Sequence, residues 1–157
     1  IGTVSTQAKA AVARAHGCDE IVLYRSEDLV ARVKDLTGGA GVSTVFDSVG
    51  KDTYAASLKC LKRRGVLVGC GTASGPFPPI DALQLAMQGS VYFTRPALAD
   101  YYADPTERAE LSGQWFEHLA SGRIKVEIGQ RYAIEDCVQA HRDLEAGKSI
   151  GSSVFVI

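Results

Sequence analysis

Gly69, Gly71 and Gly75, in the stretch VLVGCGTASGPFPP (66–79), stand as G-x-G-x-x-x-G behind an apolar, strand-like run. Glycines in such a turn let backbone N–H groups close around a phosphate. That chemistry is complete only when a helix opens directly behind them and aims its own N–H groups at the same anion. Here Pro76, Pro78 and Pro79 follow the last glycine. Proline has no N–H and biases the residue before it away from the α region. The stretch is also one residue longer than a dinucleotide fingerprint. A pyrophosphate cradle is therefore not expected at this loop.

Other chemistries are absent as patterns. Phe46-Asp47-Ser48-Val49-Gly50 lacks the first glycine of the G-x-S-x-G nucleophile elbow. Cys18, Cys60, Cys70 and Cys137 are widely spread, with no C-x-x-C and no metal-ligand spacing to His16, His118 or His141. They read as reduced, cytosolic thiols in or near a core, and no metal is expected. His118 and His141 fall inside amphipathic segments and read as surface or boundary residues.

These residues need a scaffold, and 157 residues suit one domain with a sizeable core. Apolar residues make up 46% and charged residues 22%, as in soluble globular proteins. A net charge of −1 argues against nucleic acid or an anionic membrane as partner. No apolar run approaches the roughly 20 residues needed to span a bilayer, and the start IGTVSTQAKA has neither the basic opening nor the apolar run of a signal peptide. Without an initiator Met, the chain reads as a cut piece.

Strand-like and helix-like segments alternate. Strands are expected at 1–4, 21–24, 43–46, 66–68, 91–94, 125–128 and 153–156. Helices are expected at 6–16, from Ser26 as N-cap to about Leu36, and at 52–63, 81–88, 105–121 and 135–146. Such alternation implies βαβ crossovers and a mostly parallel, doubly wound α/β sheet, with ligands at the carboxyl ends of the strands. Those ends are Val4-Ser5-Thr6, Tyr24-Arg25, Asp47-Ser48-Val49-Gly50 and Gly69-Cys70-Gly71-Thr72.

Four phrases go further: IGTVSTQAKA, IVLYRSEDL, VFDSVGKDTYAASLKCLKRRGVLVGCGTASGP and GSVYFTRPAL. With the tail VEIGQRYAIEDCVQAHRDLEAGKSIGSSVFVI they resemble, over essentially the whole chain, the zeta-crystallin-like NADPH:quinone oxidoreductases of the medium-chain dehydrogenase/reductase superfamily. The resemblance implies an incomplete Rossmann-type sheet whose first strand, glycine loop and first helix lie upstream of Ile1. Residues 1–123 would then be a partial NADP-binding domain, and 124–157 a strand-helix-strand returning into the catalytic domain. In the strand order 3-2-1-4-5-6 the absent strand is central, so two half-sheets with facing unpaired edges are expected. Closure would need upstream chain, a rearrangement or another copy.

The resemblance also implies site residues. NAD-preferring Rossmann proteins hold the ribose 2′-OH with an acid after the second strand. Here no acid precedes Asp19, and Ser5, Thr6, Lys9 and Tyr24 fall at the family's 2′-phosphate positions, with Arg25 left between cofactor contact and loop charge. Cys70, Gly71 and Thr72 fall where the family holds the nicotinamide half. Asp47–Gly50 has two open readings, a backbone shelf for the adenine or ribose and a turn whose Asp binds local N–H groups. Arg95 is read either as a cofactor contact or as an edge salt bridge. The strand Ser90–Pro96 is expected to pair across a homodimer two-fold, which would cover an exposed edge.

The implied activity is zinc-independent hydride transfer from NADPH to a quinone, with no catalytic residue named because the acceptor pocket would belong to the N-terminal half. Two alternatives stand beside it. One is a related reductase acting on enones, alkenals or enoyl thioesters. The other is a non-enzymatic NADPH-binding or structural, crystallin-like protein.

Overall fold

The computed structural model describes all residues, Ile1–Ile157. They form two compact units, Ile1–Ala103 and Asp104–Ile157. Packing thus divides the chain at Ala103/Asp104. The expected division at 123/124 is one of role, on which packing does not bear.

In the first unit the order is β1 (Gly2–Val4), α1 (Gln7–Ala15), β2 (Ile21–Leu23), α2 (Leu29–Leu36), β3 (Val42–Asp47), α3 (Tyr54–Cys60), β4 (Leu61–Gly69), α4 (Ala82–Met87), β5 (Tyr92–Thr94) and α5 (Leu98–Tyr101). Every ladder is parallel. β1 pairs only with β2, while β3, β4 and β5 form a separate three-stranded sheet in that order. The expected split into two half-sheets is what the backbone adopts: β1 and β3 do not pair.

The core lies on the three-stranded side, where Tyr54, Leu58, Leu61, Leu67 and Val91 are buried. Phe77 and Phe93 pack against them, their rings edge-on 5.3 Å apart, with Tyr54 edge-on 6.1 Å from Phe77. Such T-shaped pairs place the positive ring edge on the negative face.

Two local expectations are corrected. The cap of α2 is Asp28 rather than Ser26. Its carboxylate accepts from the N–H groups of Val30 and Ala31, whereas Ser26 donates to the Leu23 carbonyl within the preceding turn. An ionised acceptor at the cap satisfies two of the donors a helix start leaves over. The helix expected to reach Arg63 stops at Cys60. Leu61 leaves in an extended conformation to pair with Val42, and the ladder resumes only at Thr44 with Val66. The intervening residues form an irregularity in which Arg64 takes a left-handed φ of 57° and donates to the Gly89 carbonyl.

In the second unit, α6 (Pro105–Ala120) is capped by Asp104, with Pro105 opening the first turn. β6 (Ile128–Ala133) leads through a 3-10 turn, Ile134–Asp136, to α7 (Cys137–Glu145) and β7 (Ser152–Val156). β6 and β7 pair in parallel. This is the expected strand-helix-strand, but the first strand runs 128–133 rather than 125–128. Its pairing with β7 and the ring contact of Tyr132 with Phe155, centroids 6.3 Å apart, set that register.

Candidate nucleotide site

The site is best built from Asp47, the last residue of β3. Its side chain is 4% exposed and accepts hydrogen bonds from four groups. The N–H groups of Val49 and Gly50 reach Oδ1 at 2.9 and 3.0 Å, and the hydroxyls of Thr53 and Ser57 reach Oδ2 at 2.8 and 2.7 Å. Burial alone would raise its pKa. The hydrogen bonds from Ser57, Gly50, Thr53 and Val49 outweigh that and hold it below the usual carboxylate range. Of the two readings left open, the turn with a self-bonding Asp is the observed geometry. The sequence signal was the spacing of Thr53 and Ser57, four apart at the start of the next helix.

The end of β4 is tied to this knot. Cys70 N–H donates to the Asp47 carbonyl at 2.8 Å, Ala73 N–H to Ser48 at 3.2 Å and Ser74 N–H to Val49 at 2.8 Å. Glycine is needed here for loop against loop. A Cβ on Gly71 would collide with the Ser48 carbonyl oxygen, and one on Gly50 (φ 94°) would come within 2.5 Å of the Gly75 carbonyl oxygen. No helix opens behind Gly75, since the next one begins at Ala82. The prolines act as expected.

The structure brings Cys70, Gly71, Thr72 and Arg95 to one sheet end. Cys70 and Thr72 are exposed there. Arg95 is neither free nor in an edge salt bridge: its guanidinium donates to the Gly69 carbonyl at 3.0 Å and to the Pro96 carbonyl at 3.4 Å. It braces the strand end that carries Cys70.

Ser5, Thr6, Lys9 and Tyr24 gather at the ends of β1 and β2. Tyr24 N–H donates to the Val4 carbonyl at 3.3 Å, holding the two strand ends together. Thr6 caps α1 by accepting from Lys9 N–H at 3.3 Å, which puts Lys9 in the first helical turn. Tyr24 and Arg25 are exposed. This end thus offers hydroxyls, a phenol, a lysine and a helix N-terminus, while the Glu27 carboxylate beside the end of β2 accepts from the Leu23 N–H.

A cavity of about 380 Å³ lies between Ile1-Gly2-Thr3 and the β3 edge, with Leu29, Val33 and Cys60 contributing from α2 and α3. Burial pushes the Cys60 thiol pKa up, which keeps it protonated. All four cysteines are free thiols. No three His, Cys, Asp or Glu side chains converge as metal ligands, so this chain's residues do not fit a zinc ion. No helix is long and apolar enough to cross a membrane.

Parallel β-α-β order, strand-end loops and a split sheet define a Rossmann-type nucleotide-binding architecture. The family model for zinc-binding dehydrogenases matches residues 16–154, and the chain belongs to that family. It is 46% identical to a quinone oxidoreductase of Salmonella typhimurium and 38% identical to a 2-haloacrylate reductase of Burkholderia, covering 99% of this chain and 48% and 47% of those proteins. The Escherichia coli quinone oxidoreductase, solved in complex with NADPH, superposes with a TM-score of 0.94 at 42% identity, over 99% of this chain and 48% of that one. The chain spans about half the length of the curated relatives it matches.

Proposed function

We propose that this chain is the NADPH-binding part of an enzyme that reduces quinones by zinc-independent hydride transfer. The observation that carries the reading is the end of β1, where Thr6 caps α1 and Lys9 lies in its first turn, with no acid in the sequence before Asp19. Ser5, Thr6, Lys9 and Tyr24 hold the 2′-phosphate. A helix N-terminus and an ammonium both favour the anion, and a carboxylate placed to hold a ribose 2′-OH would repel it. Cys70, Gly71 and Thr72 line the nicotinamide half, on a strand end held by the Asp47 knot and by Arg95. When bound, NADPH supplies the reducing hydride. The chain's own residues fix where the cofactor lies. Residues 1–123 would serve this role, with 124–157 belonging to the catalytic domain.

The kinship with the Salmonella quinone oxidoreductase supports a quinone acceptor. The 2-haloacrylate reductase supports a second reading, an activated alkene such as an enone, alkenal or enoyl thioester. An acceptor panel on the intact protein separates them, and NADPH oxidation should be faster with a simple quinone. Residues 1–157 alone should give no turnover. Their reducing a quinone would contradict the assignment, and an intact protein that binds NADPH but reduces nothing would favour the structural, crystallin-like reading.

The outer edge of β5, where Tyr92 and Thr94 are exposed, is the proposed homodimer seam across Ser90–Pro96. Lysines on an edge strand oppose pairing by like-charge repulsion. Tyr92→Lys with Thr94→Lys should weaken the dimer about tenfold or more in sedimentation equilibrium, since each 1.4 kcal/mol is tenfold. An unchanged dimer would place the seam elsewhere. The enzyme is expected to be cytoplasmic, which fractionation would check.

A further inference from the structure

We propose that Glu27 is a positioning residue of the nucleotide site: it closes the turn that carries Tyr24 and Arg25 and so holds them for the 2′-phosphate. This role rests on the cofactor reading above and adds to it a residue that acts without touching the nucleotide. Tyr24 N–H reaches the Val4 carbonyl of β1 at 3.3 Å, longer than the usual N–H···O distance of about 2.9–3.0 Å. Its side chain is exposed, so packing adds little to that tie. The firmer constraint comes from Leu23, one residue back. The Leu23 carbonyl accepts from the N–H groups of both Ser26 and Glu27 at 2.9 Å. In the opposite sense, the Leu23 N–H donates to Glu27 Oε2. Leu23 is thus bound through both of its backbone groups to the residue four ahead, and Tyr24, Arg25 and Ser26 are enclosed between the two.

Strand geometry explains why a side chain supplies that acceptor. Successive N–H groups of a strand point to opposite sides. Tyr24 N–H faces β1, so Leu23 N–H faces away from it, and β2 pairs with β1 alone. An edge donor that no ladder takes is taken here by Glu27. Arg32 of α2 orients the carboxylate: its Nε lies 3.8 Å from Oε1, which leaves Oε2 for Leu23. Arg32 Nη2 also lies 3.8 Å from Glu20 Oε2. Such half-exposed pairs contribute little stability, but the shared cation offsets the negative charge that Glu27 brings to an anion-binding end. A carboxylate near a phosphate repels it. Were Glu27 only a nearby charge, its removal would tighten NADPH binding. Acting through the turn, its removal loosens binding, so the two roles differ in sign.

The test compares the intact native protein with Glu27→Ala and Glu27→Gln by fluorescence titration of NADPH and NADH, and by hydrogen exchange at the Leu23 amide without nucleotide. Glu27→Ala should raise the NADPH dissociation constant about fivefold or more, since the hydrogen bond lost is one to a charged group. NADH has no 2′-phosphate and should stay within about twofold. The Leu23 amide should exchange about tenfold or more faster in Glu27→Ala, as its turn opens locally. Glu27→Gln keeps an oxygen for that N–H, and Arg32 keeps Glu20. It should therefore retain the native NADPH affinity within about twofold, together with the native exchange rate. Four outcomes would overturn the positioning role alone: tighter or unchanged NADPH binding by Glu27→Ala, equal losses for the two nucleotides, unchanged Leu23 exchange, or a glutamine variant as weak as the alanine one. A native protein with no preference for NADPH over NADH would overturn the cofactor reading, and the role of Glu27 with it.

Discussion

Asp47→Ala is expected to lower the free energy of unfolding by about 3–5 kcal/mol, measured by urea denaturation at pH 7, from buried donors stranded at about 1–3 kcal/mol each. The N–H groups of Val49 and Gly50 are fixed by the backbone and would keep no acceptor. The hydroxyls can turn, and Thr53 already reaches the Gly50 carbonyl at 3.3 Å. Loss of the knot also loosens the loop that holds Cys70 to Ser74, because those residues bond to the carbonyls of Asp47, Ser48 and Val49. Asp47→Asn keeps one oxygen for the two N–H groups and should lose less. The carboxylate is held below its ordinary value, so its contribution is complete above the unfolded pKa near 4 and fades as pH falls through the lower folded value. The gap between the native protein and Asp47→Asn should therefore narrow between pH 5 and pH 2. A gap that stayed constant, or an alanine variant within about 0.5 kcal/mol of the native protein, the range of ordinary surface substitutions, would show that Asp47 does not hold the turn.

What the sequence made legible follows from periodicity. The strands around Val22, Val45 and Leu67 and the helices behind Thr6 and Pro105 carry strong patterns and caps, and they form where expected. The split sheet was legible only through the family resemblance, whose strand order leaves the centre empty. Polar pairing was harder to read. Ser26 and Asp28 both suit an N-cap, and only the turn from Leu23 to Glu27, which occupies Ser26, decides for Asp28. Leu61 fits the apolar face of the helix before it, yet it is buried from a strand because Val42 offers a partner distant in sequence. Gln130 and Arg131 disguise β6, whose register depends on β7 some twenty residues on. Arg95 and Asp47 show the same limit at the site. Arg95 was left between a cofactor contact and an edge salt bridge, and the Gly69 carbonyl it reaches lies too far along the chain for spacing to reveal. Asp47 was left between a backbone shelf and a local turn, which the Thr53 and Ser57 hydroxyls decide.

Lys9→Ala carries the other large expected effect, and it rests on the proposed cofactor. In the intact protein the NADPH dissociation constant should rise about tenfold or more, since a charge-assisted hydrogen bond contributes about 1.5–3 kcal/mol. NADH has no 2′-phosphate, so its affinity should stay within about twofold, and the ratio of the two separates a lost contact from a damaged fold. Lys9 lies in the first turn of α1, whose cap is held by the Thr6 side chain. Removing its side chain leaves the capping bond in place, because that bond uses the backbone N–H. Alanine is also the best helix former, so α1 itself should not weaken. Lys9→Arg should retain most of the NADPH preference, as a cation that can still pair with phosphate. Added salt should lower NADPH affinity more for the native protein than for Lys9→Ala, because the screened charge is present only in the former. Fluorescence titration of both nucleotides at two ionic strengths reads all of this. Equal losses for NADPH and NADH, or no loss for either, would remove Lys9 from the 2′-phosphate site and leave the preference to Ser5, Thr6 and Tyr24.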